Sequence, residues 1–352
     1  MDLRFTTYRI HLNHTFGISR SANDWYDIVY IFIQDGNIIG RGEAAPSLRY
    51  NESTERILSV LKQKVKLPEA YKNREDIWNF ILPQLDGIKA LEAAFSMMLW
   101  DWWGQKCEKR VCDLLEVKTN ELPQTSFTIA IGDLNEIEQK IEEAKPYPIL
   151  KVKLGTPDND KAIITEIRNH TDKLIRVDAN EGWQTDSVLE MIHWLADRNI
   201  EFIEQPFPAD QLDQTAQLKE KSPLDIYADE NSINSTDIPK IAHAFDGINI
   251  KLMKCGSLEE GKRMINLARF YDMKIMLGCM VESSVGITAA AQLAGEVDAI
   301  DLDGNLLINN DPYHGVQVKD GSLALGLGQG LGLVMRENQE SELDKNKMRD
   351  LL

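Results

Sequence analysis

The sequence predicts an α/β protein in which a (β/α)8 barrel of the modified TIM type follows a smaller α+β unit. Three observations predict this class. The chain has 352 residues, 43% of them hydrophobic, which is enough for a large core divided between two units. Eight short apolar runs rich in β-branched residues recur from about residue 126 onward. Their starts lie roughly 22 to 27 residues apart, which leaves room for a strand, a loop and a crossover helix in each repeat.

Residues 1–118 are predicted to form the α+β unit, a capping domain. It contains two strand-like segments, DIVYIFIQDG and NIIGRGEAAP, and the Asp-Gly pair between them indicates a hairpin turn. Two helical patterns follow, ESTERILSVLKQKV and IKALEAAFSMMLWDWWGQKC, with apolar residues at three- and four-residue spacing. Trp100, Trp102 and Trp103 lie in the second pattern, where aromatic residues are more often core than part of a ligand site.

Residues 119–315 are predicted to form the barrel. The eight strand runs are SFTIAIG, ILKVKLG, LIRVDAN, IEFIEQP, DIYADE, GINIKL, KIMLGCM and AIDLDGN. Amphipathic helical segments lie between several of them, including DKAIITEIRNH and LEEGKRMINLARFYD. An open doubly wound sheet could also use eight strands, but it would normally carry a glycine-rich phosphate fingerprint after its first strand. That fingerprint is missing from the sequence, so the barrel is favoured.

Residues 316–352 are predicted to leave the barrel and return to the capping domain. The segment GVQVKDGSLALGLGQGLGL reads as a β-hairpin followed by a glycine-rich loop. The charged tail ENQESELDKNKMRD is predicted to be mobile.

The charge balance favours a small-molecule substrate. With 56 acidic and 39 basic residues, the formal net charge of −17 would repel nucleic acid and anionic membrane surfaces. The four cysteines show no CxxC pair, which indicates free thiols in a reducing compartment. Since the N-terminal segment lacks the apolar core of a signal peptide and no stretch of about 18 apolar residues occurs, we expect a cytoplasmic protein.

Three carboxylates end three successive strand runs. Asp178, Glu204 and Asp229 follow one another at 26 and 25 residues. Because active sites of such barrels are built at the carboxyl ends of the strands, we expect the three side chains to converge. Carboxylates held together repel one another unless a cation compensates, and oxygen ligands favour Mg²⁺. The sequence therefore predicts a magnesium site at these three residues.

Lysines end the second and sixth strand runs, which lie across the barrel from each other. Lys151 and Lys153 share one face of their strand, roughly 7 Å apart. We expect the charge of each to lower the pKa of the other, as a general base near neutral pH requires. Lys251 ends the sixth run; Lys254 could compete with it but lies past the strand, so Lys251 is preferred. Two opposed lysines suit the transfer of a proton from one face of a carbon to the other.

The eighth strand run ends in a second pair on one face, Asp301 and Asp303. The pair lies too far round the barrel to be well placed for the metal. Two carboxylates facing the pocket would suit a cationic group on the substrate, such as an ammonium. Strand-end solvation or salt bridging remains the alternative interpretation.

These motifs resemble those of the enolase superfamily, in the branch of muconate lactonising enzymes, o-succinylbenzoate synthases and dipeptide epimerases. The resemblance covers nearly the whole chain. It rests on GRGEAAPSLRYNES and LWDWWGQK in the first unit and on KVKL, VDANEGW, EQP, ADE, IKLMKCGSL and GCMVESSVG in the barrel. KCGSL departs from the pattern, which more often has two glycines there.

The resemblance implies roles for the residues that match. It implies Mg²⁺ at the three carboxylates, acid/base catalysis by Lys153 and Lys251, and an assisting, substrate-binding role for Lys151. The Asp301/Asp303 pair looks like the Asp-x-Asp motif that holds the dipeptide ammonium. The implied reaction is 1,1-proton transfer at the α-carbon of the C-terminal residue through a metal-stabilised enediolate.

Two further residues are predicted in the pocket. Thr128 matches a substrate-contacting threonine of related epimerases. Met280, in GCMVESS, either lines the same pocket or only packs.

Three points stay open on the sequence. An o-succinylbenzoate synthase or cycloisomerase would use the same lysines and acids without an ammonium-binding pair, and a catalytically silent binding protein is the third class. The resemblance implies that the capping loop FGISRSAND helps to set the preferred C-terminal side chain, which could be acidic, small or hydrophobic; Arg20 is the only cation in this loop. Symmetric self-assembly is a general expectation for enzymes of this size.

Overall fold

The computed structural model describes residues 1–19 and 21–336. Its first part is a three-stranded antiparallel sheet, in the order β1-β2-β3, packed against helices. The elements are β1 (Asp2–Ile18), β2 (Ser21–Asp35), β3 (Ile38–Ala44), α1 (Thr54–Gln63), α2 (Arg74–Ile81), α3 (Lys89–Lys106) and α4 (Val111–Leu114). The Asp-Gly hairpin is confirmed, because Asp35 pairs with Ile38 across a turn in which Gly36 has a φ of 61°.

The segment FGISRSAND, interpreted as a loop, is instead mostly strand. Phe16 pairs with Asn23, and Ile18 pairs with Ser21, so β1 and β2 continue almost to their turn. The ladder shifts register between His11 and Phe16, which allows the tip to bend over the barrel. Arg20 is outside the described residues.

Helix α3 is the central element of this first part. The three- and four-residue spacing predicted a helix here correctly, but α3 is buried on nearly all sides rather than along one stripe. A Cβ at Gly42 would overlap the carbonyl oxygen of Ala94, so glycine lets β3 approach the helix backbone closely. Trp100 and Trp102 are buried, which confirms their core interpretation.

The second part is the predicted barrel of eight parallel strands. They run in sequential order from β4 to β11, and a parallel bridge between Thr125 and Ile300 brings the first and last strands together. The strands are β4 (Ser126–Ile129), β5 (Ile149–Lys153), β6 (Leu174–Asp178), β7 (Ile200–Glu204), β8 (Asp225–Ala228), β9 (Gly247–Ile250), β10 (Lys274–Gly278) and β11 (Ala299–Asp301).

Helices connect the barrel strands. They are α5 (Ile137–Glu143), α6 (Pro157–His170), α7 (Thr185–Ala196), α8 (Leu212–Lys219), α9 (Ile238–Ile241), α10 (Leu252–Cys255), α11 (Leu258–Phe270) and α12 (Ser284–Ala291). Side-chain caps start several of these helices: the hydroxyl of Ser257, for example, accepts the backbone N–H of Glu260 at the start of α11. Within the described part of the chain, no helix is long and apolar enough to cross a membrane.

The barrel interior has an apolar lower layer. Phe202, Tyr227, Met276 and Ala299 form a buried cluster separate from the main core. The rings of Phe202 and Tyr227 stack with centroids 4.1 Å apart. This layer closes the barrel below the polar residues at the strand ends, as inward-facing side chains do in such barrels.

The C-terminal segment begins with the predicted hairpin and then contacts α3. Strand β12 (Tyr313–His314) precedes this segment, the hairpin consists of β13 (Gln317–Lys319) and β14 (Ser322–Ala324), and β15 (Val334–Met335) pairs back with β12. The backbone N–H of Leu331 donates to Asp101 on α3 at 2.9 Å, and Gly330 accepts from Val111. The charged tail that was predicted to be mobile lies outside the described residues, and the domain bounds stay a prediction. All four cysteines are free, as the sequence indicated.

Candidate active site

The polar residues of the site come from the carboxyl ends of the barrel strands. Each strand alternates, so that residues two apart share the inward face. Lys151 and Lys153 lie on this face of β5, and Asp178 pairs with Lys153 across the ladder from β6. Glu204 ends β7, and Asp229 directly follows β8. The barrel register therefore brings the three predicted carboxylates and the predicted lysines into one layer.

The three carboxylates form one buried cluster. One oxygen from each of Asp178, Glu204 and Asp229 lies within 4.8 Å of the other two. All three residues are at most 2% exposed. A set of three oxygen ligands of this kind suits a hard divalent cation, because Mg²⁺ prefers carboxylate and water oxygens. The residues present therefore fit a magnesium ion.

Lysines surround this cluster. The Lys151 ammonium lies 3.1 Å from Asp178, 2.7 Å from Glu204 and 2.8 Å from Asp301. Lys153 donates to Asp178 at 2.7 Å from one side of the barrel. From the opposite side, Lys251 donates to Asp229 at 2.8 Å. Three strands lie between β5 and β9 in either direction round the barrel, so the lysines at these two strand ends face each other across it.

The electrostatics of Lys151 differ from the sequence-based expectation. Burial would lower its pKa, but the charges of Asp301, Glu204 and Asp178 together raise the pKa well above its ordinary value. Like-charge repulsion from a neighbouring lysine is therefore not the dominant effect at Lys151. The expectation failed because it considered one strand, whereas the three carboxylates come from other strands. At Asp178, burial would raise the pKa of the carboxyl. The charges of Lys153 and Lys151 outweigh burial and hold this pKa below its usual range.

The pair on β11 is buried and asymmetric. Asp301 accepts from the hydroxyl of Ser126 at 2.6 Å and from Lys151 at 2.8 Å. Asp303 accepts the backbone N–H of Thr128 at 2.6 Å. Burial and the negative charge of Asp301 raise the pKa of Asp303 to about 7. Asp303 thus lacks a lysine partner as close as the one that Asp301 has.

A cavity of about 680 Å³ opens onto this layer from the capping side. Among its lining residues are both opposed lysines, Lys153 and Lys251, together with Asp301 and Asp303. Thr128 and Met280 also line it, whereas Lys151, Asp178 and Glu204 are buried and do not. The first part of the chain covers the cavity with residues of β1, β2 and the segment before α1, among them Phe16, Trp25, Tyr26 and Arg49.

Two contacts join the cover to the barrel just beyond the end of β6. Arg49 donates to both oxygens of Glu181, at 2.9 and 2.8 Å. Glu181 follows β6 with a φ of 66°, a conformation that non-glycine residues rarely adopt. The hydroxyl of Ser19, at the tip of the β1–β2 hairpin, donates to the carbonyl of Asn180 at 2.9 Å. Both contacts hold the cover against the strand end that carries Asp178.

Sequence reasoning missed several polar residues of this layer. Ser126 contacts Asp301, Asn249 donates to Glu204 at 2.7 Å, and Glu282 is buried behind the cavity wall near Lys251. The signal for the first two was the strand alternation, since Ser126 lies two residues before Thr128 and Asn249 two residues before Lys251. For Glu282 the signal was the one charged residue in the segment GCMVESS.

Comparison with known proteins identifies the family of the chain. The profile of the family described as "Enolase C-terminal domain-like" matches residues 134–339. The L-Ala-D/L-Glu epimerase of Bacteroides thetaiotaomicron is 38% identical over 95% of this chain and 88% of its own length. The L-Ala-D/L-amino acid epimerase of Pedosphaera parvula is also 38% identical, over 96% of this chain and 99% of its own.

A solved structure matches over the whole architecture. It is the dipeptide epimerase of Enterococcus faecalis in complex with Mg and the dipeptide L-Leu-L-Tyr. The TM-score is 0.84 at 28% identity, and the match covers 94% of this chain and 98% of the other. The resemblance seen in the sequence motifs is confirmed, and the chain belongs to the family of enolase C-terminal domain-like proteins.

Proposed function

We propose that the protein is a Mg²⁺-dependent dipeptide epimerase, an isomerase that inverts the α-carbon of the C-terminal residue. The observation that carries the proposal is the pair of lysines, Lys153 and Lys251, which line one cavity from opposite sides of a ring of three carboxylates. An inversion needs one group on each face of the reacting carbon. Relatives named as epimerases of L-Ala-D/L-Glu and of L-Ala-D/L-amino acid dipeptides, at 38% identity, support the reaction class.

The proposed mechanism assigns a separate task to each group. Asp178, Glu204 and Asp229 would hold Mg²⁺, which when bound neutralises the negative charge that builds up on the substrate carboxylate as the α-proton leaves. One of the two lysines, Lys153 or Lys251, removes the α-proton from one face as a neutral amine. The other, as an ammonium, donates a proton of its own to the opposite face.

The remaining polar residues bind and orient the substrate. Lys151 contacts three carboxylates and supplies a fixed positive charge beside the reacting carboxylate. Asp301 and Asp303 bind the N-terminal ammonium of the dipeptide. Lys151 already lies 2.8 Å from Asp301, whereas Asp303 has no lysine as close and is therefore the main partner of the ammonium. Thr128 fixes Asp303 through its backbone N–H and contributes its side chain to the cavity, as Met280 does.

The substrate class follows from the buried acidic pair. A synthase or cycloisomerase of the same branch would act on a substrate without an ammonium, and would gain nothing from two carboxylates at the cavity wall. We therefore place the dipeptide epimerase ahead of that alternative, and ahead of a silent binding protein, for which the opposed lysines would have no use. Assay against a dipeptide library would identify the preferred C-terminal side chain.

Isotope exchange tests this proposal. Mixed L,L- and L,D-dipeptides incubated in D₂O with Mg²⁺ should gain deuterium at the C-terminal α-carbon and interconvert. Lys153→Ala and Lys251→Ala should each abolish interconversion. Each variant should still exchange the α-proton of one diastereomer with solvent, and the two variants should act on opposite diastereomers. Absence of exchange across a broad dipeptide library with the wild-type enzyme would rule out the proposal.

The setting of the enzyme is part of the same proposal. Four free cysteines fit a reducing compartment, and we propose that the enzyme works in the cytoplasm. We also propose a symmetric homo-oligomer, which light scattering of the purified protein would test.

A further inference from the structure

Lys254 is a buried cation of the site that proton transfer does not use. Its side chain is fully buried, and it is not among the residues that line the cavity. The ammonium donates to the carbonyl of Asp229 at 2.6 Å, to the Oδ1 atom of Asp229 at 2.5 Å and to the carbonyl of Asn249 at 2.9 Å. An ammonium has three N–H groups, so these acceptors use all of them. Lys254 therefore has no donor left for a substrate.

These bonds fix both ends of one carboxylate ligand. Because Lys254 binds the backbone oxygen and a side-chain oxygen of Asp229, rotation of the Asp229 side chain would break one bond or the other. The third bond ties the ammonium to the backbone of β9. Lys251 binds the other carboxylate oxygen, Oδ2, from the cavity side at 2.8 Å. The two lysines thus share Asp229, one holding it from below and one facing the substrate.

Asn249 holds a second carboxylate ligand, Glu204. Its side-chain amide donates to the Oε1 atom of Glu204 at 2.7 Å, while the Oε2 atom lies 2.7 Å from Lys151. A Cβ on Gly278 of the neighbouring strand would lie 2.5 Å from the Asn249 amide oxygen. The glycine therefore leaves the space that the amide occupies.

The third ligand follows the same pattern. The Oδ1 atom of Asp178 accepts the backbone N–H of Asn180 at 2.9 Å, and its Oδ2 atom lies 2.7 Å from Lys153. Each carboxylate accordingly has one oxygen held by a donor other than Lys151, Lys153 and Lys251, and one oxygen beside one of these three lysines.

We propose that Lys254 and Asn249 are positioning residues that hold Asp229 and Glu204 in the orientation a small octahedral cation requires. The inference rests on the proposed metal site and adds to it the residues that set its geometry. Mg²⁺ demands near-ideal octahedral geometry, whereas Ca²⁺ accepts longer and less regular coordination. The two residues would therefore determine the preference of the site for Mg²⁺ over Ca²⁺.

Comparing the affinities of the site for Mg²⁺ and Ca²⁺, which carry equal charge, separates the effect of ligand geometry from the effect of local charge. Removing a lysine changes the local charge, but this acts similarly on Mg²⁺ and Ca²⁺ and largely cancels in the ratio of their affinities. We would titrate metal-depleted enzyme with MgCl₂ and with CaCl₂ by calorimetry. Lys254→Met should lower the Mg²⁺:Ca²⁺ affinity ratio about fivefold or more. Lys251→Met is the matched control, because it removes the same charge beside the same carboxylate, and its ratio should stay within about twofold of wild type.

Asn249→Ala gives a second arm that leaves every charge in place. It should lower the ratio in the same direction, and an unchanged ratio in this variant overturns the proposal even where Lys254→Met does not fold. A ratio unaltered by Lys254→Met, or altered equally by Lys251→Met, also overturns it. Failure of the wild-type enzyme to bind either cation would instead refute the metal site itself.

Discussion

Asp301 and Asp303 are two residues apart on one strand end, yet their surroundings differ in charge. Burial would raise the pKa of Asp301, but Lys151 outweighs it and the pKa is lowered. Asp303 accepts the backbone N–H of Thr128, and burial together with the charge of Asp301 raises its pKa to about 7. A cationic substrate group placed at Asp303 would supply the positive charge that Lys151 supplies to Asp301.

Asp303→Asn should therefore weaken binding of dipeptides with a free N-terminus. A charged hydrogen bond contributes about 1.5 to 3 kcal/mol, so KM should rise roughly 10- to 100-fold. Exchange of the α-proton at saturating substrate should change much less. The measurement is kcat/KM for a dipeptide and for its N-acetyl analogue, which has no ammonium. Equal losses with both substrates would contradict an ammonium site at Asp303.

At the residue scale, alternation along the strands is what made the site predictable. Asp178, Glu204, Lys153 and Lys251 all stand at or next to strand ends, where the sequence placed them. The pKa of Lys151 was not predictable, because it depends on carboxylates that three other strands bring to it. The positioning role inferred for Lys254 was hidden for the same reason, since its partners come from β8 and β9.

At the element scale, the β10–α12 connection joins the cover to the barrel through buried acids. Glu43 on β3 accepts the backbone N–H groups of Ser283 and Gly286 at 2.9 and 3.1 Å and so caps the start of α12. Burial raises the pKa of Glu43 to about 7. Glu282 is also buried, and burial together with the charge of Glu43 raises its pKa to about 8. Only Met280 N–H and the charge of Lys251 oppose this shift of Glu282.

Glu282 should make the protein less stable as the pH rises. A buried acid whose pKa is higher in the folded than in the unfolded state binds its proton more tightly when folded. Its favourable contribution is therefore complete below pH 4.5 and is lost progressively between about pH 4.5 and 8. Glu282→Gln keeps the shape but cannot ionise, so the variant should gain stability relative to wild type across this range, by at most about 5 kcal/mol.

Urea unfolding at pH 5, 7 and 9 measures this difference. Glu138→Gln, a change at an exposed glutamate on α5, is the control and should leave the wild-type pH profile in place. Parallel profiles for wild type and Glu282→Gln would show that Glu282 does not ionise in this range.

The elements themselves were only partly predictable. The barrel strands and the long helices follow from local patterns of two and 3.6 residues. The extension of β1 and β2 through FGISRSAND does not follow from such local patterns, because a contact from outside the hairpin supports the pairing of these strands. Ile131 of the barrel donates its backbone N–H to Gly17 at 2.9 Å. The nearly complete burial of α3 likewise depends on a sheet on one side and barrel helices on the other.

At the scale of the whole molecule, the buried charges of the site are close to balanced within the protein. Four lysines face four carboxylates at hydrogen-bond or ion-pair distance; these are Lys151, Lys153, Lys251 and Lys254 with Asp178, Glu204, Asp229 and Asp301. A structural metal site differs, because its ligands are left uncompensated when the ion is removed and the fold is lost with it. We therefore expect this fold to persist without a divalent cation.

Chelation should accordingly abolish epimerisation while the protein stays folded. Mg²⁺ at 100 times its dissociation constant adds about 2.7 kcal/mol to the free energy of unfolding, which for a chain of this size raises Tm by only a few degrees. Calorimetry with EDTA and with added MgCl₂ measures the shift, and activity should return on adding the cation. Asp178→Asn is the control, because it removes one ligand charge and should reduce both the shift and the recovery. A loss of cooperative unfolding on chelation would show that the lysines do not compensate the carboxylates, and would make the metal part of the fold.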